Sequence, residues 1–213
     1  FKLISFSNSR PSGSCKPLAT IVLTKILKLY FYFILLFLSC KEELNTPFKE
    51  DNKTIILQPF NDFSKLESKI LVDSLNHFFH PVILNSSIEI PKTSYVKDRN
   101  RYRADTIIRI LRDSRLGDTI TVGLTNFDIS TTKNRIIDWG VMGLGYRPGK
   151  SCVISTFRLD KINRKSQLMK VVLHEIGHTL GLPHCIDKEC LMRDAEGGNP
   201  LNDEKDFCQN CRI

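Results

Sequence analysis

Residues 54–213 are predicted to form a mixed α/β domain of the α+β kind, with strands and helices interspersed along the chain. Segments of strand-like alternation and segments with helical spacing of apolar residues follow one another over this range. The chain has 213 residues, 41% of them hydrophobic and 25% charged, so it can bury one core and carry extra segments. We find no internal repeat, so a single folded domain is expected.

The first elements of this domain are predicted to be a strand and a helix. The sequence TIILQP at 54–59 is apolar and rich in isoleucine, which favours a strand. Between 61 and 79 the apolar residues recur at helical spacing, which predicts a helix. Asn61 or Asp62 is expected to cap it, because such side chains accept hydrogen bonds from the free N–H groups of a helix start.

Four further segments continue the order of elements. The short apolar sequence VIL at 82–84 predicts a second strand, and the spacing of isoleucine and leucine in 100–114 predicts a second helix. Residues 118–129 alternate and are rich in β-branched side chains, which is typical of a strand. The glycine-punctuated stretch 138–159 predicts a hairpin of two strands.

The residues before the domain predict three additional segments. Residues 1–22 are interpreted as upstream or disordered sequence. Residues 23–40 join a short cationic stretch to ten uninterrupted apolar residues and end at Cys40. Ten residues are too few for a membrane-spanning helix, which needs about 20, so this segment predicts a secretion signal. Residues 41–53 are charged and poor in apolar side chains, as in a solvated tether.

A signal that ends at cysteine resembles that of a bacterial lipoprotein, with Cys40 as the lipidated first mature residue. The alternative is an ordinary hydrophobic segment of a mistranslated upstream region. The lipoprotein interpretation predicts a membrane-anchored protein that faces the periplasm or the cell surface, with a cytoplasmic location as the alternative. Contact with the membrane is then expected only through the lipid, and the protein is expected to be a monomer.

The formal charge of +8 is concentrated outside the domain. Residues 1–40 hold five of the 31 basic residues and none of the 23 acidic ones, so the remaining chain has a formal charge of only +3. The sequence has no long Lys/Arg run and no basic stretch interleaved with aromatic residues, which nucleic-acid binding would need. A nucleic-acid partner is therefore not expected.

Three histidines near the end of the chain have the spacing of a zinc-peptidase site. In HEIGHTLGLPH, His174 and His178 are four residues apart on a predicted helix, so both imidazoles lie on one face and can chelate one Zn²⁺. Gly181 tolerates a left-handed backbone and can end the helix, so that His184 returns as a third ligand. Three imidazoles leave the fourth tetrahedral position open, as in catalytic zinc sites.

Glu175 follows His174 on this helix, which is expected to begin near Asn163 or Ser166. The glutamate would lie beside the metal, where peptide hydrolysis needs a general base. Bound zinc acidifies water and polarises the scissile carbonyl, and Glu175 would take the water proton and pass it to the leaving amine. The chain has only five histidines, so three of them in this pattern indicate a metal site rather than ordinary helix residues.

Four of the seven cysteines form two close pairs near the end of the chain, Cys185 with Cys190 and Cys208 with Cys211. Two short pairs favour a structural four-cysteine zinc site, while disulfides stay open if the domain is exported. A third alternative, thiols that join the catalytic zinc, is weak because thiolate would close the open position. A nucleic-acid-binding zinc ribbon would need a basic patch. Cys152 lies apart and is expected to be a core thiol.

The sequence from His174 to Cys211 resembles the signature of the archaemetzincins, a branch of the metzincin zinc peptidases. That signature is HExxHxxGxxHC, four residues, CxM, a spacer and CxxC; here the four residues are IDKE and the last pair is CQNC. Fifteen residues separate Met192 from Cys208, slightly fewer than is usual, which places a small deletion in a loop. Upstream segments such as VGLTNFDIS extend the resemblance over residues 54–213.

The resemblance implies a metzincin-like zincin fold. Such a fold has a mixed twisted sheet flanked by helices, an active-site helix and a methionine turn, here at Met192, beneath the catalytic zinc. The strand around Ser151–Arg158 would be the edge strand over the cleft and would pair with extended substrate backbone. Peptide or protein substrates are implied, with aminopeptidase activity in some members. The alternative is a non-enzymatic, zinc-stabilised module that binds peptides or a partner.

The resemblance also implies two zinc ions per chain, one catalytic and one structural. The catalytic zinc would be bound by His174, His178 and His184, with Glu175 as the general base. The structural zinc would be bound by the four cysteines of the two close pairs: Cys185, Cys190, Cys208 and Cys211.

Overall fold

The structure is a computed structural model that describes residues 53–114 and 117–212. Three predicted segments lie outside these ranges: 1–22, 23–40 with Cys40, and all of 41–53 except its last residue. Within the described ranges, no helix combines the length and the apolar character needed to cross a membrane.

Strands and helices alternate along the described chain, as the sequence predicts, together with three short 3₁₀ turns. The elements in chain order are β1 (Thr54–Pro59), α1 (Lys65–Leu75), β2 (Val82–Leu84), β3 (Tyr95–Val96), β4 (Arg101–Arg103), α2 (Ala104–Asp113), β5 (Thr119–Thr125), β6 (Ile129–Lys133), β7 (Ile136–Val141), β8 (Gly143–Gly145), β9 (Ser151–Ser155) and α3 (Arg164–Thr179).

Two sheets organise these strands. The larger has the order β2–β1–β5–β9–β8, in which every neighbouring pair is parallel except β8 with β9. The smaller has the order β3–β4–β6–β7 and contains the antiparallel β6–β7 hairpin. The mixed α/β fold class is therefore confirmed, and the central strands are almost wholly buried because helices cover both faces of the sheet.

Alternate residues of β9 reach two different hydrophobic cores. Cys152 and Ile154 pack with α1 and α3 on one face of the larger sheet, whereas Val153 packs with α2 on the other. Cys152 is completely buried, which confirms the prediction of a core thiol. Helix α3, which carries the HExxH motif, is thus held against the centre of the larger sheet.

Two helix starts differ from the sequence prediction. The cap of α1 is Ser64, whose hydroxyl accepts a hydrogen bond from the Glu67 N–H, so the prediction of Asn61 or Asp62 is wrong. The Asp62 carboxylate instead accepts hydrogen bonds from the Thr125 hydroxyl at 2.7 Å and from the Asn126 N–H. Helix α2 begins at Ala104 rather than near residue 100, because β4 pairs with β6 first.

The predicted edge strand is also wrong. Strand β9 lies between β5 and β8 and is completely buried, so the edge of the larger sheet is formed by β8. Residues 118–129 likewise do not form one strand, since β5 ends at Thr125 and β6 begins at Ile129 in the other sheet. A regular alternation in sequence does not reveal where a chain leaves one sheet for another.

Candidate active site and metal centres

Helix α3 and its C-terminal turn bring the three histidines together. His174 and His178 lie one turn apart, and the helix ends in a Schellman motif. In this motif the Leu182 N–H bonds to the Gly177 carbonyl at 3.0 Å and Gly181 has a φ of +102°. That left-handed conformation favours glycine, and it reverses the chain so that His184 returns toward the helix.

Hydrogen bonds from Nδ1 to backbone carbonyl oxygens orient two of the imidazoles. His174 Nδ1 lies 2.6 Å from the carbonyl oxygen of Leu191, and His178 Nδ1 lies 2.8 Å from that of Leu182. A carbonyl oxygen only accepts, so Nδ1 carries the hydrogen in both rings and each Nε2 keeps its lone pair. Ligating histidines are commonly held in this way.

The third imidazole is oriented by a carboxylate. His184 Nδ1 lies 3.5 Å from Oδ2 of Asp194. The same carboxylate lies 3.3 Å from the ammonium of Lys133 and accepts a hydrogen bond from the Glu196 N–H at 2.9 Å. The Lys133 ammonium in turn lies over the Trp139 ring, 5.6 Å from its centroid. This chain of contacts connects the β6–β7 hairpin to the third histidine across the cleft.

The spacing of the three imidazoles fits a tetrahedral zinc ion. One ligand atom from each of His174, His178 and His184 lies within 4.8 Å of the others, and the Nε2 atoms of His178 and His184 are 3.2 Å apart. Zinc–nitrogen bonds of about 2.0–2.1 Å at tetrahedral angles require about 3.3 Å between two nitrogens. The donor set therefore suits Zn²⁺ in both chemistry and geometry.

Burial keeps these histidines neutral. Desolvation lowers the pKa of His174 to about 3, and it also lowers the pKa of His178 and of His184. Neutral imidazole is the form that binds metal. The site is therefore ready for a cation at neutral pH without first releasing protons from its ligands.

Glu175 is a buried carboxyl group beside these imidazoles. Its exposure is 5%, and its Oε2 atom is buried without a hydrogen-bond partner. Burial raises its pKa to about 8. Strand β8 approaches so closely that a Cβ atom placed on Gly143 would lie 2.5 Å from Glu175 Oε1. A glycine at this position therefore leaves the room that the carboxyl group occupies.

Met192 packs against helix α3. Its side chain is fully buried, and a Cβ atom placed on Gly177 would lie 2.6 Å from its sulfur. A tight turn from Cys190 to Arg193 carries the methionine, with an Arg193 N–H to Cys190 carbonyl bond of 3.0 Å. Met192 also accepts a 2.8 Å hydrogen bond from the Cys185 N–H, which links the turn to the residue after His184.

The four C-terminal cysteines form one cluster of free thiols. The sulfurs of Cys185, Cys190, Cys208 and Cys211 all lie within 4.8 Å of one another, and those of Cys185 and Cys208 are 3.6 Å apart. A disulfide requires about 2.0 Å, whereas four zinc–sulfur bonds of about 2.3 Å at tetrahedral angles place sulfurs about 3.8 Å apart. The arrangement fits a closed four-thiolate metal site and not a pair of disulfides.

A cleft with a volume of about 650 Å³ contains the histidines and Glu175. Its walls are β7 and β8, helix α3 and the loop from Arg193 to Glu204. Three cleft residues were not predicted from the sequence: Lys133, Asp194 and Glu204. Lys133 lies far from the HExxH motif along the chain, and Asp194 and Glu204 lie in a loop without regular spacing of apolar residues. The only local sequence signal for this group was the position of Asp194, two residues after Met192.

Comparisons with known proteins agree with this geometry. The sequence profile of peptidase family M54 matches residues 54–213. The archaemetzincin of Halobacterium salinarum is 31% identical over 144 residues, which cover 62% of this chain and 80% of that protein. The archaemetzincin of Nanoarchaeum equitans is 27% identical over 151 residues, which cover 70% and 83% of the two chains.

Solved structures show the same fold. The archaemetzincin of Archaeoglobus fulgidus, crystallised with malonate, aligns with a TM-score of 0.64 and 26% identity over 74% of this chain and 97% of that one. The archaemetzincin of Methanopyrus kandleri aligns with a TM-score of 0.65 and 23% identity, over 77% and 93% of the chains. The resemblance stated from the sequence is confirmed, and the alternative of a non-enzymatic module is not favoured. The chain belongs to peptidase family M54, the archaemetzincins, and is a zinc metallopeptidase.

Proposed function

We propose that this zinc metallopeptidase cleaves peptides at the cleft, with His174, His178 and His184 as the ligands of its catalytic zinc. The observation that carries the proposal is the orientation of the imidazoles: Nδ1 of each faces an oxygen atom, while one donor from each ring converges on one point. The unpaired carboxyl group of Glu175 lies beside that point.

Glu175 is the proposed general base. When bound, zinc acidifies water and polarises the scissile carbonyl. Glu175 Oε2 has no competing hydrogen-bond partner, so this oxygen is free to accept the proton of the attacking water. Glu175 then passes this proton to the leaving amine, which restores the carboxylate at the end of the reaction.

Strand β8 is the proposed docking edge for the substrate backbone. It is one of the two edge strands of the larger sheet, and Gly143, Leu144 and Gly145 line the cleft with Glu175. An extended peptide can add to such an edge through main-chain hydrogen bonds. Because these hydrogen bonds involve only the main chain, peptides with different side chains can be held with a carbonyl group facing the three histidines.

We further propose a second, structural zinc bound by Cys185, Cys190, Cys208 and Cys211. The 3.6 Å separation of two of these sulfurs supports this assignment. Metal analysis of the purified protein should give two zinc ions per chain. One zinc ion together with no titratable thiols among these cysteines would contradict the four-cysteine site.

Two finer proposals concern substrate ends and location. Removal of residues from the peptide N-terminus is an activity that the archaemetzincin resemblance implies for some members, and paired peptides with free and acetylated N-termini test it here. A lipid anchor at Cys40 on an otherwise monomeric protein is supported by the apolar segment before that cysteine. Mass spectrometry of the mature N-terminus tests the anchor: an acylated Cys40 supports it, and an intact upstream sequence refutes it.

The hydrolase proposal is tested with a peptide library. The parent should cleave members of the library in a zinc-dependent manner, and Glu175→Ala should bind the same amount of zinc but lose cleavage by at least about 10²-fold. Failure of the parent to turn over any peptide would refute the proposal. Unchanged turnover by Glu175→Ala would refute the role of this carboxyl group as base.

A further inference from the structure

The cleft contains a second buried carboxyl group, that of Glu204, which the proposed hydrolysis does not use. Glu204 lines the cleft together with His174 and Glu175, yet its exposure is 3%. Its Oε2 atom is buried without a hydrogen-bond partner. An unpaired polar atom of this kind costs stability unless a ligand supplies the missing partner.

Glu204 is tied to the helix that carries Glu175. The Lys170 ammonium donates hydrogen bonds to the backbone carbonyls of Glu204 and Leu201. Lys170 and Val171 precede His174 and Glu175 by one turn of α3, which is about 5.4 Å along the helix axis. Glu204 is thereby held against the same helix that places His174 and Glu175 in the cleft.

The loop that carries Glu204 is held in place before any substrate arrives. The buried Gln167 side chain donates a 2.8 Å hydrogen bond to Asn202 and accepts a 3.1 Å bond from Asn199. The Glu204 N–H bonds to the Pro200 carbonyl at 3.3 Å. A wall that is already ordered reduces the entropy lost on binding, which favours selectivity at this position.

Two cations of the protein act on the Glu204 carboxyl group without hydrogen bonding to its Oε2 atom. Lys170 and Arg193 act on it only at a distance and partly offset the burial that raises its pKa to about 7. The Lys170 ammonium is engaged with backbone carbonyls, and the Arg193 guanidinium donates to the Lys188 carbonyl at 3.2 Å. The carboxyl group therefore keeps the capacity for a further, cationic partner.

We propose that Glu204 forms the end of a substrate subsite that selects a cationic side chain, with lysine as its simplest occupant, close to the scissile bond. The inference rests on the proposed peptidase function and adds a specificity to it. Val171, Pro200 and Leu201 line the same cleft and offer apolar surface to an aliphatic stem, while the carboxylate pairs with the ammonium group at its end.

The test compares peptides that differ only in charge. A cleavable peptide is prepared with lysine or norleucine at each position next to the scissile bond, each with a free or an acetylated N-terminus. Norleucine keeps the aliphatic stem and removes the ammonium group. At one of these positions the parent should prefer lysine by at least about tenfold in kcat/KM. In Glu204→Gln the ratio of kcat/KM for the lysine peptide to kcat/KM for the norleucine peptide should fall toward one. The matched control is Asp203→Asn, at the exposed neighbouring residue, and this variant should keep the ratio of the parent.

Two other results would overturn the inference. Equal cleavage of lysine and norleucine peptides by the parent at every position refutes it, whether or not Glu204→Gln folds. A dependence on Glu204 that follows N-terminal acetylation rather than lysine assigns the carboxylate to the peptide α-ammonium group instead. Binding of the same peptides to Glu175→Ala, measured by calorimetry, decides the lysine preference without turnover, so that a failure of hydrolysis remains distinguishable from a failure of the subsite.

Discussion

The Nδ1 atom of His184 lies 3.5 Å from Oδ2 of Asp194, so the third proposed zinc ligand faces a side-chain carboxylate rather than a backbone carbonyl. His174 and His178 are held by main-chain oxygens, which no substitution of the residue that carries them removes. Among the three imidazoles, that of His184 is therefore the one whose orientation depends on a side chain that a substitution can remove.

Replacing Asp194 with asparagine should weaken binding of the catalytic zinc. The substitution removes the charge that stabilises the His184 N–H and also frees Lys133, whose ammonium lies 3.3 Å from Asp194. Loss of such a partner costs about 10–100-fold in metal affinity, which competition with a chelator measures directly. Glu196→Gln, in the same loop, is the charge-matched control and should bind zinc like the parent. An unchanged affinity in Asp194→Asn would contradict the orienting role.

Replacing Gly143 with alanine should impair turnover while zinc remains bound. The added Cβ atom would lie 2.5 Å from Glu175 Oε1, so the carboxyl group must shift, and misplacement by about 1 Å can cost about 10²-fold in rate. Gly198→Ala is the control, because its Cβ atom would approach only the Ala195 carbonyl oxygen, at 3.5 Å. Steady-state kinetics and zinc content should separate the two variants; equal kcat values would show that the close approach is unimportant.

Local sequence signals located the site better than they located its surroundings. The strands β1 and β2 and the C-terminal end of α3 could be predicted because each depends on a short run of residues, such as the left-handed Gly181 after His178. The histidine and cysteine clusters follow from spacing along one helix and in the loops after it. Such features need no knowledge of distant parts of the chain.

Long-range contacts decided the features that the sequence did not reveal. Asp62 has a good capping side chain, but its hydrogen bonds to the Thr125–Asn126 segment leave the helix start to Ser64. Strand β9 is not the edge, because the three-residue β8 adds to it. Likewise Lys133 meets Asp194 across the cleft although 61 residues separate them, a contact that no periodicity encodes.

Disrupting the four-cysteine cluster should also weaken the histidine site. Cys185 follows His184 directly, and the turn that begins at Cys190 supplies the Leu191 carbonyl that holds His174. Cys208→Ser removes one thiolate from the proposed structural site without touching either histidine. We expect zinc content to fall from two ions to less than one per chain, with a reduced affinity for the ion that remains. Retention of one tightly bound zinc and of full activity would show that the two sites are independent.

The pH dependence of stability should reveal the buried carboxyl group of Glu204. Burial raises its pKa from 4.5 to about 7, so the folded state holds the proton more tightly than the unfolded state. Its contribution to stability is therefore most favourable below pH 4.5, declines as the pH rises from 4.5 to about 7 and is constant above that range. Glu204→Gln has no proton to lose, so its free energy of unfolding should rise relative to the parent between pH 5 and pH 8.

Because zinc ligands titrate alike in both proteins, their effect cancels in the difference between the two free energies of unfolding. Urea unfolding at pH 5 and pH 8 measures the free energy of unfolding of both proteins, with Asp203→Asn as the control. If the difference between Glu204→Gln and the parent does not change with pH, Glu204 ionises normally.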